Sequence, residues 1–240
     1  MVQKATKIAN RWMVFIGVTA LIAVLSGCGG SDSDNDSASG RDASSPWQTI
    51  QRQATAAVPE GYRVLGGPEQ GFTVAVPPQF TDFDPTGTDI DRLVDQADIA
   101  DPAYAAQVRR QLKAMTSRDA LLIAFDLKSG VDSGYSTNVS VGCVPVASSR
   151  PSDLEKDLNA SLTRIGAKEL TLGRKTIGGV EAVTDSYQLQ LEDKTAYASQ
   201  VVLPAGPKRA CALTFGTDKP ERYAETFEQI ANTFRVLPSR

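Results

Sequence analysis

The chain has no histidine among its 240 residues. That excludes hydrolases that rely on a histidine base and zinc sites with imidazole ligands. The pattern G-x-S-x-G, which sets a nucleophilic serine on a strand-to-helix elbow, is also missing. Cysteine is scarce, with three copies. No apolar run reaches the ~20 residues that a membrane-spanning helix needs. Basic residues are outnumbered, with 25 Lys+Arg against 28 Asp+Glu. A nucleic-acid partner requires clustered cations, so an acidic chain makes none expected.

What is present begins at the N-terminus. Lys4, Lys7 and Arg11 form a positive segment, and residues 12–25 form an apolar core broken by Gly17 and Thr19. This is the layout of a secretory leader. Leu25-Ser26-Gly27-Cys28 then reads as a bacterial lipobox. Cleavage before Cys28 would leave its sulfur to carry diacylglycerol. Each buried methylene contributes ~0.8 kcal/mol of membrane affinity, and two chains suffice for stable anchoring. The expected location is the extracytoplasmic face of the cell membrane, held by lipid on Cys28. Without the three leader cations the mature chain keeps 22 Lys+Arg against 28 Asp+Glu, a formal charge of −6. The lipid alone must then hold it to an anionic bilayer.

Three segments follow from composition. Residues 1–27 are the leader. Residues 28–46 are a tether of Gly, Ser, Asp and Ala that cannot bury enough apolar surface to order itself. Residues 47–240 are one folded domain, a length suited to a single core. Ser31-Asp32-Ser33-Asp34-Asn35-Asp36 lacks the glycine and terminal glutamate of a calcium loop, so it belongs to the tether. Trp47, at the tether's end, has either the domain or the bilayer to pack on.

Cys143 and Cys211 are the other two cysteines. An extracytoplasmic compartment permits a disulfide, and two cysteines allow one pairing. The alternative is two buried thiols. Both residues fall inside predicted strands with core-facing neighbours.

Apolar alternation predicts strands at 62–65, 71–77, 120–126, 137–144, 168–177, 180–191, 195–203 and 209–216. Helices are predicted at 88–98, with Thr88 and Asp91 as its cap, and at 102–116, with Asp101 as cap before Pro102. A third helix follows Ser152-Asp153-Leu154-Glu155, read as a capping box. It carries Leu154, Leu158, Leu162 and Ile165 at helical spacing and stops at Gly166. The last helix starts near Asp218-Lys219-Pro220-Glu221, read as another capping pattern, and carries the stripe Tyr223, Phe227, Ile230, Phe234. The sum is an α+β domain, a mostly antiparallel sheet flanked by helices.

This order resembles a known family. The signs are Gly71-Phe72-x-Val74-x-Val76-Pro77, the strand 119–126, Asn138-Val139-Ser140-Val141, the helix from Ser152, Gly179-Val180-Glu181-Ala182 before Tyr187, and the closing segment 227–236. Over residues 60–237 it is similar to the Mog1/PsbP-like fold, and within it to the LpqN-type lipoproteins of mycobacteria and related actinobacteria. The resemblance implies an α/β/α sandwich and a non-enzymatic accessory, binding or surface role. Histidine metal sites of PsbP-type proteins do not carry over to a chain without histidine.

Individual residues suggest no catalysis. Ser161 and Lys168 fit no Ser-Lys spacing. Gly173-Arg174-Lys175-Thr176 lacks the first glycine of a phosphate loop and falls inside a predicted strand. Asp82, Asp84, Asp89, Asp91, Asp95, Asp98 and Asp101 read as a solvated acidic surface, not a paired-acid site. Phe72, Phe80, Phe83, Tyr187, Phe227 and Phe234 read as core, with an apolar cavity as the alternative. The expectation is a non-enzymatic binding or interaction module needing no cofactor. Its partner is an envelope protein, with a lipid or other apolar molecule as the second reading. The 77–117 segment, the least regular, is the expected binding face.

Overall fold

The computed structural model describes residues 57–83, 90–97, 99–115, 120–191 and 194–237. The leader, Cys28, the tether, Trp47, Asp84, Thr88, Asp89 and Asp98 lie outside these residues. The described residues form two antiparallel sheets flanked by helices, so the α+β expectation holds.

The large sheet has seven strands in the order β3-β4-β5-β9-β8-β7-β6. They are β3 (Thr81–Phe83), β4 (Ala120–Asp126), β5 (Thr137–Pro145), β6 (Lys168–Ile177), β7 (Val180–Gln190), β8 (Thr195–Gly206) and β9 (Arg209–Thr217). From β6 to β9 the chain is a meander. The turn between β6 and β7 is Gly178-Gly179, at φ 58° and 85°. Two consecutive left-handed residues are what a two-residue hairpin requires, and glycine meets that without strain.

The small sheet is β1 (Arg63–Gly67), β2 (Phe72–Val76) and β10 (Arg235–Val236), in the order β1-β2-β10. The alternation that predicts β1 and β2 gives no sign that they leave the main sheet. Nor does it find β3 and β10, at three and two residues too short to show a period.

Helices cover both faces of the large sheet. On the front, α4 (Pro220–Thr233) and the small sheet enclose the main core, which includes Phe72, Phe80, Val139, Leu213, Ile230 and Phe234. Tyr223 anchors the start of α4 by donating its hydroxyl to Asp126 Oδ2 at 2.6 Å. On the back, α1 (Ile90–Gln96) and α2 (Pro102–Met115) pack on Ile123 and Phe125 of β4. At the sheet's other end α3 (Pro151–Arg164) sets Leu154 and Leu158 on Val183, Val202 and Ala210. Leu162 of the same helix packs on Tyr187 and Leu189.

Helix ends test the capping expectations. Asp101 caps α2, its Oδ1 accepting the Ala103 N–H at 2.8 Å. The box at Ser152 does not form: α3 begins at Pro151, its N-cap is Arg150, and no side chain bonds there. Proline's fixed φ starts the helix early, so Ser152 already lies within the first turn. Glu155 instead accepts two bonds from Arg174. Gly166 does end α3, with Gly166 N–H on Thr163 O and Ala167 N–H on Leu162 O. Ile165, expected in the apolar stripe, is 41% exposed. In α4 the cap is Lys219, without a side-chain bond, so the Asp218 pattern does not form either.

The bridge between Cys143 and Cys211 is present, with sulfurs 2.03 Å apart. β5 and β9 pair with these residues directly opposite one another. Register alone brings them together.

Candidate functional site

Strand β7 presents two different surfaces. Thr184, Ser186 and Gln188 are half-buried or exposed, whereas Val183, Asp185, Tyr187 and Leu189 are buried. Because successive side chains alternate, the first set faces front and the second faces α3.

The front set floors a groove of about 580 Å³ between β6–β9 and α4. Register builds its floor: Ser186 lies opposite Ser199 of β8, and Ser199 opposite Phe215 of β9. Gln188, Tyr197 and Thr217 form the next row. Ala224, Phe227, Glu228 and Ala231 of α4 make the wall. Phe227 stacks on Phe215 at 4.6 Å and on Tyr223 at 5.7 Å between ring centres, which holds the wall rigid.

Three acidic residues border the groove: Glu169 and Glu228 on its open side, and Asp185, whose buried side chain belongs to the back face of β7. Glu228 is paired with Lys175 at 3.0 Å. Glu169 accepts a bond from the Gln188 amide. It sits at an irregularity of β6, between Lys168 and Thr171, with φ at 52°. A non-glycine residue in that region costs about 1 kcal/mol or more, and such costs recur at binding sites. No lysine or arginine lines the groove among the described residues. Its lining combines hydroxyl and amide groups with the rings of Tyr197, Phe215 and Phe227 and exposes more apolar than polar surface, suited to neutral or cationic partners over anionic ones.

The back set holds an unusual row. Asp185, Gln200, Thr214 and Ser140 lie side by side on four neighbouring strands. All four are buried. Gln200 donates to the Tyr187 hydroxyl at 3.4 Å. Neither oxygen of Asp185 has a hydrogen-bond partner among the described residues, and the Thr214 hydroxyl has none either. Burial pushes the Asp185 carboxyl up to about 7, against the Gln200 backbone amide, which approaches the carboxyl without closing a hydrogen bond of good geometry. Burial, with the nearby Asp185 charge, also raises Tyr187 well above the usual phenol range.

The other candidates disperse. Asp82 pairs with Arg63, and Asp91 and Asp95 pair with Arg109. Within 173–176, Arg174 is held by Glu155 and Glu181, and Lys175 by Glu228. Ser161 is buried beneath α3 while Lys168 is exposed. Of the six aromatic candidates, Phe227 reaches the groove with its side chain; Phe72, Phe80 and Phe234 fill the front core, Phe83 and Tyr187 the back. Apolar core thus fills the space under one part of α4, and the groove opens between the sheet and the rest of that helix. The 77–117 segment contributes nothing to the groove. Among the described residues no group of three or more His, Cys, Asp or Glu side chains gathers as a metal site, and no helix is long and apolar enough to cross a membrane.

Asp185 escapes the sequence reading, although a signal exists. The alternation that puts Tyr187 and Leu189 on the buried face reaches Asp185 when extended two residues back. A carboxylate at an inward position of an alternating strand is the anomaly to look for.

No family profile and no curated protein matches the chain. Solved structures resemble it weakly. LpqN, involved in cell envelope biogenesis of Mycobacterium tuberculosis, matches with a TM-score of 0.46 and 11% identity over 74% of this chain and 91% of its own. The cyanobacterial PsbP of Synechocystis matches at 0.41 and 15%, over 73% and 92%. A protein from Bacteroides thetaiotaomicron matches at 0.43 and 10% over 73% of this chain, which spans about half, 48%, of that protein's length.

Proposed function

We propose that the chain is a lipid-anchored envelope protein whose domain is a non-enzymatic binding module, and that the groove beside α4 is its binding face. The observation that carries this reading is the hydroxyl-rich floor, with Ser186 and Ser199 in register against a rigid aromatic wall. Side-chain hydroxyls left half open to solvent in a concave surface are available to a partner. With the rings of Phe215 and Phe227 beside them, they favour a partner that offers both hydrogen bonds and apolar contact, such as a protein segment, over a wholly apolar guest. The packed front core counts further against a lipid carrier.

Photocrosslinking in intact cells tests the face. A photoreactive residue at Ser186, in the groove, should capture a partner that the same residue at Lys156, on exposed α3, does not. Ser199→Trp, which fills the groove, should abolish that capture. Equal capture from both positions, or capture that survives Ser199→Trp, sinks the reading.

Anchoring is tested separately. Metabolic labelling with an alkyne fatty acid should mark the wild-type chain and leave Cys28→Ala unmarked and unprocessed. Label retained on the alanine variant would remove Cys28 as the anchor.

A further inference from the structure

We propose that Asp185 is a proton-operated latch for α3: with the carboxyl protonated the helix lies closed on the back of the sheet, and ionisation loosens it there.

The geometry puts Asp185 in the middle of the helix's footprint. Val183, two residues before it, packs under Leu154 and Leu158. Tyr187, two residues after it, packs under Leu162. The apolar seat of α3 is therefore split into two patches, and the carboxyl occupies the gap. It is 5% exposed and both its oxygens lack partners among the described residues. A carboxylate without hydrogen bonds is strongly disfavoured in such a place, whereas the neutral acid is tolerated.

Among the described residues the Gln200 backbone amide favours the charged form, and it does not outweigh burial. On β7 the titratable neighbour is Tyr187, which in turn feels Tyr135 from the loop before β5. Across the strands stand Leu172 of β6 and Gln200 of β8. From α3 the buried side chains are Leu154, Leu158, Ser161 and Leu162. Of the helix's charges, Asp153 pairs with Arg150 and Glu155 with Arg174, Asp157 is half-buried, and Lys156 and Arg164 are exposed. Among the described residues no cation shifts the Asp185 carboxyl. Lifting α3 gives the carboxylate the water it lacks, so ionisation favours the lifted state.

The sign and window follow from linkage. The closed state holds its proton up to about pH 7, while a solvated aspartate releases it near ~3.9. Between these values the lifted fraction rises about tenfold per pH unit, and above the upper value it levels off.

Amide hydrogen exchange on the full chain in detergent micelles, corrected for intrinsic rates, reads this directly. Protection of α3 should fall about tenfold per unit from pH 5 to pH 7 and then flatten, at opening energies below those of β9. In Asp185→Asn it should stay constant. The carbon chemical shift of the Asp185 carboxyl, followed in the unaltered protein, should titrate near 7. Three results overturn the latch: pH-independent protection of α3, exchange of α3 and β9 in a single step, or a carboxyl that titrates at the ordinary value.

Discussion

Asp185→Asn should raise the unfolding free energy at pH 8 by about 4 kcal/mol and leave it nearly unchanged at pH 4. The folded-state value near 7 lies about three units above the ordinary aspartate value. A group whose folded value is raised contributes stability that is complete below the unfolded value and is lost as pH climbs through the folded one. Wild-type stability should therefore decline from pH 4 to pH 7 and level off above. Asparagine has nearly the same shape and no proton to lose, so it keeps the acid-side stability throughout. Guanidinium unfolding at the two pH values measures the difference. Equal midpoints at pH 8 would mean that the carboxylate finds a partner in solution, for which ordered water is the first candidate.

The second large effect concerns the bridge. Replacing Cys143 and Cys211 together by alanine should cost about 4 kcal/mol, because a cross-link between distant residues restricts the unfolded chain. The two residues are 68 positions apart, and the loop they close contains α3, β6, β7 and β8. Double replacement is the appropriate variant, since a single one leaves a reactive thiol. The denaturation midpoint checks it. A loss under about 1 kcal/mol would mean that the unfolded chain keeps β5 and β9 together without the bond.

Much of the fold was legible because alternation is a direct consequence of pleating. Strand β4 was read at its observed bounds, and the turn at Gly178-Gly179 was fixed by the one residue type that takes two left-handed conformations in succession. The Asp101 cap was readable because the following proline left no other start. The capping box at Ser152 and the capping pattern at Asp218 fail for a related reason: Pro151 and Pro220 each begin the helix themselves, and the polar side chains find other uses or none. Asp218 Oδ1 is left without a hydrogen-bond partner among the described residues. Strands of two or three residues carry no period, so β3, β10 and the division into two sheets were invisible. The groove was hidden differently. Its floor is made of serines and threonines that look like an ordinary polar strand face, and only the position of α4 makes them concave.

The ring closed by Cys143 and Cys211 holds α3 and the strands β6, β7 and β8, and so most of the groove floor. A single proteolytic cut anywhere inside that ring releases no fragment. Both pieces stay joined through sulfur, and seven-stranded pairing holds the new ends near their places. Such a nicked molecule runs at full mass on a gel until reductant is added, so clipping of this domain goes unnoticed in any assay that omits it.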